Sequence, residues 1–319
     1  MTTEMITVRP YAGDHEIPAI CDLLNACSVA DDDDDTYTAT SLRSELDDPR
    51  VDATRDIRIW EDADGRMVAY GQPFVVPGEA SLDGYVYLRI HPDLRGQGLE
   101  TAVLSFNLAR IRERVAAEGQ PVEIFASVNA RDTAMQEFYA AAGGTPVRWG
   151  YQMTRDLALP SAIPVLPTEF IVRGAQPEDA ALWVAMYNES FIDHWHFHPL
   201  AAQTHAHWLS EDTYRPDLDL VAIAADGTFV AFAHCRIDAE ANTRDGVHEG
   251  HIHLLGTRRG WRRLGIGRAM LRMAMQKMRD AGMQTVLLGV DAQNPSGAVS
   301  LYEDEGFIEK RRRITYQLP

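Results

Sequence analysis

Residues 262–271 read RRLGIGRAML and join a strand-like apolar run to a helical pattern. Gly265 and Gly267 lack a Cβ atom, so a ligand can approach the backbone closely at this turn. Unpaired N–H groups and the positive end of the helix dipole meet there, and neighbouring arginines add positive charge. The stretch therefore predicts a binding site for an anion, most often a phosphate.

Two nucleotide-binding turns fit this stretch poorly. A P-loop requires Lys followed by Ser or Thr after its last glycine, whereas Arg268 and Ala269 stand there. A dinucleotide-binding turn is closer, because Asp291 ends the next strand-like run, where an acid would bind the ribose. Met270, however, replaces its third glycine. No doubly wound pattern surrounds the turn, so neither nucleotide fold is favoured.

The chain repeats itself. ITVRPYAGDHEIPAICDLLNAC, from residue 6, has a counterpart in FIVRGAQPEDAALWVAMYNESF, from residue 170. The matched residues are separated by nearly constant intervals, which indicates a tandem duplication. These intervals are 164, 167 and 163 positions for Arg9 and Arg173, Arg95 and Arg262, and Tyr139 and Tyr302.

The join between the copies is rich in proline. Residues 159–167 read LPSAIPVLP, with three prolines and little periodicity, which suits a linker. We predict an N-terminal domain over residues 1–160, a linker over 161–168 and a C-terminal domain over 169–319.

The second copy alternates strand-like and helix-like patterns, which predicts a mixed α/β domain. Leu271, Ala274, Met275 and Met278 recur at helical spacing and form an apolar face. The predicted strands cover 170–174, 219–224, 229–236, 249–257 and 286–290, followed by a strand pair from 307; the predicted helices cover 177–190, 203–210, 265–280 and 296–304.

The glycine turn and the segment after it resemble the GNAT superfamily of N-acetyltransferases. The acetyl-CoA turn of that family reads Arg/Gln-x-x-Gly-x-Gly/Ala, which residues 262–267 fit in full. Downstream, Asn294 follows a strand-like run and LYEDEGF supplies Tyr302 before a Gly-Phe pair. The resemblance covers 169–319 fully and 1–160 more loosely. It implies a mixed α+β fold in two tandem copies, each with a central, mostly antiparallel sheet flanked by helices.

The resemblance also implies a reaction: acetyl-CoA, the co-substrate, donates an acetyl group to a primary amine by direct attack. Tyr302 matches the tyrosine that protonates the coenzyme A sulfur. Backbone N–H groups of Leu255, Gly256 and Thr257, on the strand before the turn, would bind the thioester oxygen. The remaining coenzyme-binding residues that the resemblance implies are Arg262, Arg263, Leu264, Gly265, Ile266, Gly267, Arg268 and Asn294.

The base that would deprotonate the amine has two candidates. GNAT enzymes often carry a glutamate eleven residues before the first Arg/Gln of the turn, and His251 stands there. Histidine is chemically suited, with an ordinary pKa near neutrality. Glu249 lies two residues upstream, on the same strand face as His251 and His253. We predict Glu249 or His251 as the base, acting directly or through water.

The first copy carries a weakened form of the same turn. It reads Arg95-Gly-Gln-Gly98-Leu-Glu100, so that a glutamate replaces the last Gly/Ala. This places a negative charge where the coenzyme pyrophosphate would lie. Gly84, which has no basic side chain, stands eleven residues before Arg95. We predict a degenerate domain that retains at most weak coenzyme binding and completes the acceptor cleft.

Nine of the eleven histidines lie between His194 and His253, including the stretches DHWHFHP and HAHW. In GNAT domains this part of the chain covers the acceptor pocket. Contact with the acceptor or aromatic packing therefore explains the cluster. Zinc is the alternative, but no helical His-x-x-x-His pair or cysteine set accompanies it. We expect no metal ion.

The composition of the chain limits the partners and the location that we expect for it. The chain has 319 residues, 45% of them hydrophobic, and a net charge of -17. That acidity argues against nucleic-acid partners and is compatible with a cationic amine. No apolar run approaches the roughly 20 residues of a membrane span, and no secretion signal is evident. Three cysteines without metal-type spacing suit a reduced, cytoplasmic protein. We expect a monomer with an internal pseudo-dimer, or a homodimer.

The sequence says less about the acceptor amine than about the other parts of the implied reaction. The tandem plan, with a degenerate first half, is similar to that of the mycothiol synthases, which acetylate the cysteinyl amine of a glucosamine–inositol conjugate. Those enzymes carry glutamate where His251 stands. Other small amines stay open: aminoglycosides, polyamines and amino-acid derivatives, or a peptide N-terminus. A catalytically silent protein that binds or senses acyl-CoA is the alternative from another functional class.

Overall fold

The structure is a computed structural model that describes residues 6–33, 35–77, 81–166 and 169–319. Two compact units divide the chain. Unit 1 comprises Met1–Val147 with Ile314–Pro319, and unit 2 comprises Arg148–Arg313. Asp34 of the acidic run and Pro167 and Thr168 of the predicted linker lie outside the described residues.

Unit 2 is built on a mostly antiparallel sheet in the order β7-β8-β9-β10-β11-β6, in which only β10 and β11 run parallel. Its elements are β6 (Thr145–Asp156, from Arg148 onward), β7 (Ile171–Gly174), α6 (Ala180–Phe191), α7 (Ala202–Ser210), β8 (Asp219–Ile223), β9 (Phe229–Arg236), α8 (Ala239–Asp245), β10 (Glu249–Thr257), α9 (Ile266–Asp280), β11 (Thr285–Asp291), α10 (Ala298–Asp304) and the first part of β12 (Ile308–Leu318).

Both faces of this sheet are covered, as strand β8 shows. Its Leu220 and Ala222 join the core under α9, while Val221 and Ile223 join a second core with Trp183 of α6. Such alternation follows from the two-residue period of a strand. The four apolar residues predicted to share a face of α9 are all buried: Leu271, Ala274, Met275 and Met278. Full burial of a leucine or methionine side chain contributes about 1.5–3 kcal/mol.

Unit 1 repeats the plan with a sheet in the order β1-β2-β3-β4-β5, in which only β4 and β5 run parallel. The last residues of β12 belong to this unit, where Tyr316 packs against Tyr139 with ring centroids 5.9 Å apart. Its elements are β1 (Thr7–Pro10), α1 (Ile17–Ala30), α2 (Ala39–Leu46), α3 (Ala53–Asp56), β2 (Arg58–Glu61), β3 (Met67–Pro77), β4 (Leu82–Ile90), α4 (Leu99–Glu118), β5 (Val122–Asn129) and α5 (Thr133–Ala141).

The predicted fold class is confirmed: each unit is a mixed α/β layer with a mostly antiparallel sheet. The expected strand pair from residue 307 is wrong, because Ile308–Leu318 forms one strand. That segment contains no glycine, proline or asparagine to make a turn. Helix α8, Ala239–Asp245, was not predicted. The domain limits at 1–160, 161–168 and 169–319 describe the sequence copies and stay a prediction, since the compact units are defined by packing.

No helix in the described part of the chain is long and apolar enough to cross a membrane.

Candidate functional site

Strands β10 and β11 of unit 2 begin as a parallel pair and then separate. Their paired residues run from Glu249–Thr285 to Ile252–Leu288. Beyond that point both strands line a cleft of about 820 Å³, β10 with residues 252–257 and β11 with residues 289–291. After the separation, backbone groups on the β11 side of β10 face the cleft instead of a neighbouring strand. Such groups are available to a ligand.

The glycine turn closes one end of the cleft. Helix α9 begins at Ile266, and Gly265 caps it with φ of 79° and no side-chain hydrogen bond to the first turn. Arg263 also has a positive φ, of 66°. A Cβ atom on Gly267 would lie 3.3 Å from Thr257 Oγ1, a close contact that would require the threonine side chain to shift slightly. The uncapped N–H groups of this turn suit a bound phosphate.

The three arginines of the turn differ in their hydrogen-bond and ion-pair partners. Arg262 holds the fold together: its Nε donates to the Thr257 carbonyl at 3.1 Å and its Nη1 bonds Asp193 at 2.7 Å. Arg268 is paired with Asp304 at 2.8 Å. Arg263 is exposed and has no ion pair with any described residue. Arg263 is therefore the cation of the turn that is open to an incoming anion.

Tyr302 lies in the same cleft, on α10. Its side chain is only 7% exposed, and its ring packs 5.8 Å from that of Phe307. Within the described part of the chain its hydroxyl has no hydrogen-bond partner. The hydroxyl is not among the buried polar atoms without a partner, and Tyr302 lines the cleft, so a ligand there could reach it. Burial raises the pKa of Tyr302 to about 12, so the hydroxyl keeps its proton at neutral pH.

Most of the predicted coenzyme-binding residues line this one cleft, but two do not. Leu264 is 54% exposed and Ile266 is buried in the core. Asn294 lines the cleft and shapes its loop, because its Oδ1 accepts hydrogen bonds from Ser296 N and Oγ. The predicted residues that line the cleft are Leu255, Gly256, Thr257, Arg262, Arg263, Gly265, Gly267, Arg268, Asn294 and Tyr302.

Neither predicted base lines the cleft. Glu249 lies at the start of β10, with Lys310 Nζ 3.8 Å from its carboxylate. His251 is exposed and pairs across the sheet with Arg236. Both residues precede the point where β10 leaves β11. His253 does line the cleft.

Sequence reasoning also missed residues from α6 and the loop after it. Ser190, Asp193 and His194 line the cleft, as does Asp291 at the end of β11. Burial lowers the pKa of His194, and nearby Asp291 opposes that shift. The histidine-rich stretch was noted from the sequence, but no local signal singles out His194 within it.

Unit 1 contains the same turn with its own carboxylate inside it. Arg95 bonds the Ile90 carbonyl at 3.1 Å and pairs with Asp31, as Arg262 does with Thr257 and Asp193. Glu100, only 8% exposed, stands where unit 2 has Gly267. Its Oε1 accepts the Gly96 N–H at 2.7 Å. A side chain thus occupies the place that the turn of unit 2 leaves open.

Comparisons with known proteins find acetyltransferases among the relatives of this chain. A model of the acetyltransferase (GNAT) family matches residues 181–307. A mycothiol acetyltransferase from Nocardiopsis dassonvillei is 30% identical over 270 residues, which are 80% of this chain and 80% of the relative.

Solved structures resemble the whole chain. A GCN5-related N-acetyltransferase from Sphaerobacter thermophilus superposes with a TM-score of 0.74 at 25% identity, covering 98% of this chain and 96% of that one. A tandem GNAT protein from the clavulanic acid biosynthesis pathway has a TM-score of 0.74 at 14% identity, covering 98% of both chains. The second likeness concerns the fold, including its tandem plan.

Proposed function

The chain belongs to the GNAT family of acetyltransferases, and we propose that unit 2 transfers an acetyl group from acetyl-CoA to the primary amine of a small molecule. Its relatives are acetyltransferases, which supports an N-acetyltransferase over the alternative of a silent acyl-CoA sensor. The observation that carries the proposal is the open glycine turn beside Tyr302 in one cleft. Acetyl-CoA, when bound, supplies a thioester whose acyl carbon is the electrophile.

Each group of the chain has a part in the proposed transfer. The N–H groups and Arg263 of the turn would bind the diphosphate. Backbone N–H groups among Leu255, Gly256 and Thr257 would hydrogen-bond the oxygen as it becomes negative. Tyr302 would give its proton to the departing sulfur. Glu249 and His251, the bases predicted from the sequence, do not line the cleft, so either would have to act through water.

We propose the cysteinyl amine of a glucosamine–inositol conjugate as the acceptor. The support is the mycothiol acetyltransferase at 30% identity over most of both chains. The other expectations from the sequence belong to the same proposal: acetyl-CoA as the donor, no metal ion, no nucleic-acid or membrane partner, a cytoplasmic location, and a monomer with an internal pseudo-dimer or a homodimer.

An acceptor panel tests this assignment. The panel contains the cysteinyl conjugate, glucosamine, an aminoglycoside, spermidine, an amino-acid amide and a short peptide. Release of coenzyme A is followed by chromatography, because the conjugate carries a thiol that would react with a thiol reagent. We expect kcat/KM for the conjugate to exceed the others by about tenfold or more, a difference of about 1.4 kcal/mol in transition-state binding. A faster panel member would replace the acceptor; no acetylated amine at all would overturn the function.

Arg263→Ala should raise the KM for acetyl-CoA about tenfold and leave kcat nearly unchanged. A charge-assisted hydrogen bond to phosphate contributes roughly 1.5–3 kcal/mol, and exposure reduces that value. Steady-state kinetics measure the split. Arg215→Ala, which removes an exposed arginine paired with Asp217, is the matched control and should behave as wild type. An unchanged KM in Arg263→Ala would remove this residue from the binding site.

A further inference from the structure

We propose that His253 is a catalytic residue of unit 2 and takes the proton that the acceptor amine loses during acyl transfer. The inference rests on the proposed function and deepens it, because it assigns the base to a residue inside the cleft. It replaces the sequence-based choice between Glu249 and His251.

The backbone of β10 presents His253 to the cleft. Ile252 pairs with Cys235 and Leu254 pairs with His234, so one extra residue, His253, bulges from the ladder with β9. Ile252 is also the last residue paired with β11. The bulge interrupts the alternation of the strand after His253, because Ile252 packs in the core under α9 whereas Leu254 packs with the second core beside α6. His253 is therefore displaced at the very point where the two strands part.

His253 is also close to where the thioester would lie. Leu255, the first of the backbone donors, follows it by two residues, a separation of about 7 Å along an extended strand. That distance leaves room for an amine between the imidazole and the acyl carbon. Glu249 lies farther back along the strand, in the part that is still paired with β11.

The other histidine and the acids that line the cleft interact with charged neighbours. His194, the second histidine of the cleft, interacts with the charges of Asp291, Arg262, Asp193 and Arg148. Each acid of the lining is bound by an arginine: Asp193 by Arg259 and Arg262, Asp291 by Arg148, and Asp304 by Arg268. His253 is left as the acceptor nearest the acyl site.

The groups around His253 keep it neutral. His253 is exposed by its accessible surface, and it lines the cleft. Desolvation by the surrounding protein, then Arg236 and His234 of β9, then His251 of β10, lower its pKa below the ordinary value. The ring of His234 stands edge-on to it, with centroids 6.1 Å apart. At neutral pH the imidazole therefore has a free lone pair.

His234 is buried among polar neighbours and accepts one hydrogen bond, while its Nδ1 has no hydrogen-bond partner among the described residues. Asp219, fully buried, lies 3.4 Å from His234 Nδ1 and accepts hydrogen bonds from Tyr214 and Trp183 at 3.1 Å. Arg236 donates to His234 Nε2 at 3.3 Å and pairs with Glu211 at 2.9 Å.

The step balances within the cleft. The amine nitrogen attacks the acyl carbon, a C–N bond forms and the C–S bond breaks with its electron pair on sulfur. Tyr302 gives the sulfur a proton, and the nitrogen gives its proton to His253. Nitrogen becomes more acidic once bonded to the acyl carbon, so a weak base suffices. Water then reprotonates Tyr302 and takes the proton from His253, which restores both residues.

Chemical rescue tests the role. We expect His253→Ala to lower kcat by about a hundredfold near neutral pH, since general-base catalysis contributes about 10²–10⁴-fold. Added imidazole should restore part of that loss, and coenzyme A affinity by calorimetry should match wild type. His248→Ala, an exposed histidine before β10, is the control: it should keep full activity and ignore imidazole. The acceptor is whichever panel amine wild type acetylates fastest.

The outcomes separate the two proposals. A loss in His253→Ala under about threefold, less than 1 kcal/mol, would overturn the role of His253, as would a loss that imidazole does not restore. A larger loss in His251→Ala or Glu249→Gln would return the role to those residues. Wild-type protein that acetylates no amine of the panel would instead overturn the proposed function.

Discussion

Gly267→Glu should abolish measurable coenzyme A binding. Unit 1 already carries a glutamate at the corresponding position, where Glu100 Oε1 accepts a hydrogen bond from the Gly96 N–H at 2.7 Å. In unit 2 the new carboxylate would accept hydrogen bonds from the turn and repel the diphosphate. Losing two charge-assisted hydrogen bonds of roughly 1.5–3 kcal/mol each weakens binding by about a hundredfold or more. Titration calorimetry with coenzyme A measures the loss.

Matched variants distinguish electrostatics from shape. Gly267→Ala adds only a Cβ atom 3.3 Å from Thr257 Oγ1, so it should cost binding far less than glutamate does. Glu100→Gly, the reciprocal exchange, should let the turn of unit 1 bind inorganic pyrophosphate weakly. Thermal unfolding by circular dichroism checks that each variant is folded. If Gly267→Glu binds coenzyme A within about threefold of wild type, the turn is not the diphosphate site.

Tyr302→Phe should lower kcat by about 10²–10⁴-fold with little change in coenzyme A affinity, because it removes a proton donor and nothing else. The ring keeps its packing against Phe307, and the hydroxyl has no described partner that would be left unsatisfied. The raised pKa of about 12 keeps the donor protonated through the neutral range. The kcat of the wild-type protein should therefore not fall through deprotonation of Tyr302 as the pH rises from neutral toward this pKa.

Tyr139→Phe provides the matched control, since Tyr139 is the corresponding residue of unit 1. Its ring packs against Tyr316 in the core. That variant should keep full activity. Pre-steady-state release of coenzyme A, compared with calorimetric affinity, separates chemistry from binding. A kcat for Tyr302→Phe within about threefold of wild type would remove the proton-donor role.

The conformation of the glycine turn could be predicted from a local sequence pattern. Gly265 and Gly267 predict an uncapped helix start and an anion site, because φ near 80° and the lack of a Cβ atom are properties of the residues themselves. The boundaries of β9 and β10 and the buried face of α9 follow in the same way from short-range periodicity. These features depend on neighbours within about one helical turn.

Contacts between residues that are far apart in the chain could not be predicted from the sequence. Arg262 fits the coenzyme pattern, yet its guanidinium is bound by Asp193, 69 residues earlier. The position of His253 follows from a bulge, which depends on how β9 and β10 align and not on the composition of β10. Strand alternation alone places Glu249, His251 and His253 on one face. The separation of β10 from β11 brings only His253 to the cleft.

A crystal structure with bound coenzyme A tests the diphosphate site most directly. The diphosphate should lie within hydrogen-bond distance of the backbone N–H groups of residues 263–268, with the sulfur near Tyr302 and the turn of unit 1 closed by Glu100. Coenzyme A bound elsewhere, with the cleft of unit 2 empty at saturating concentration, would contradict it.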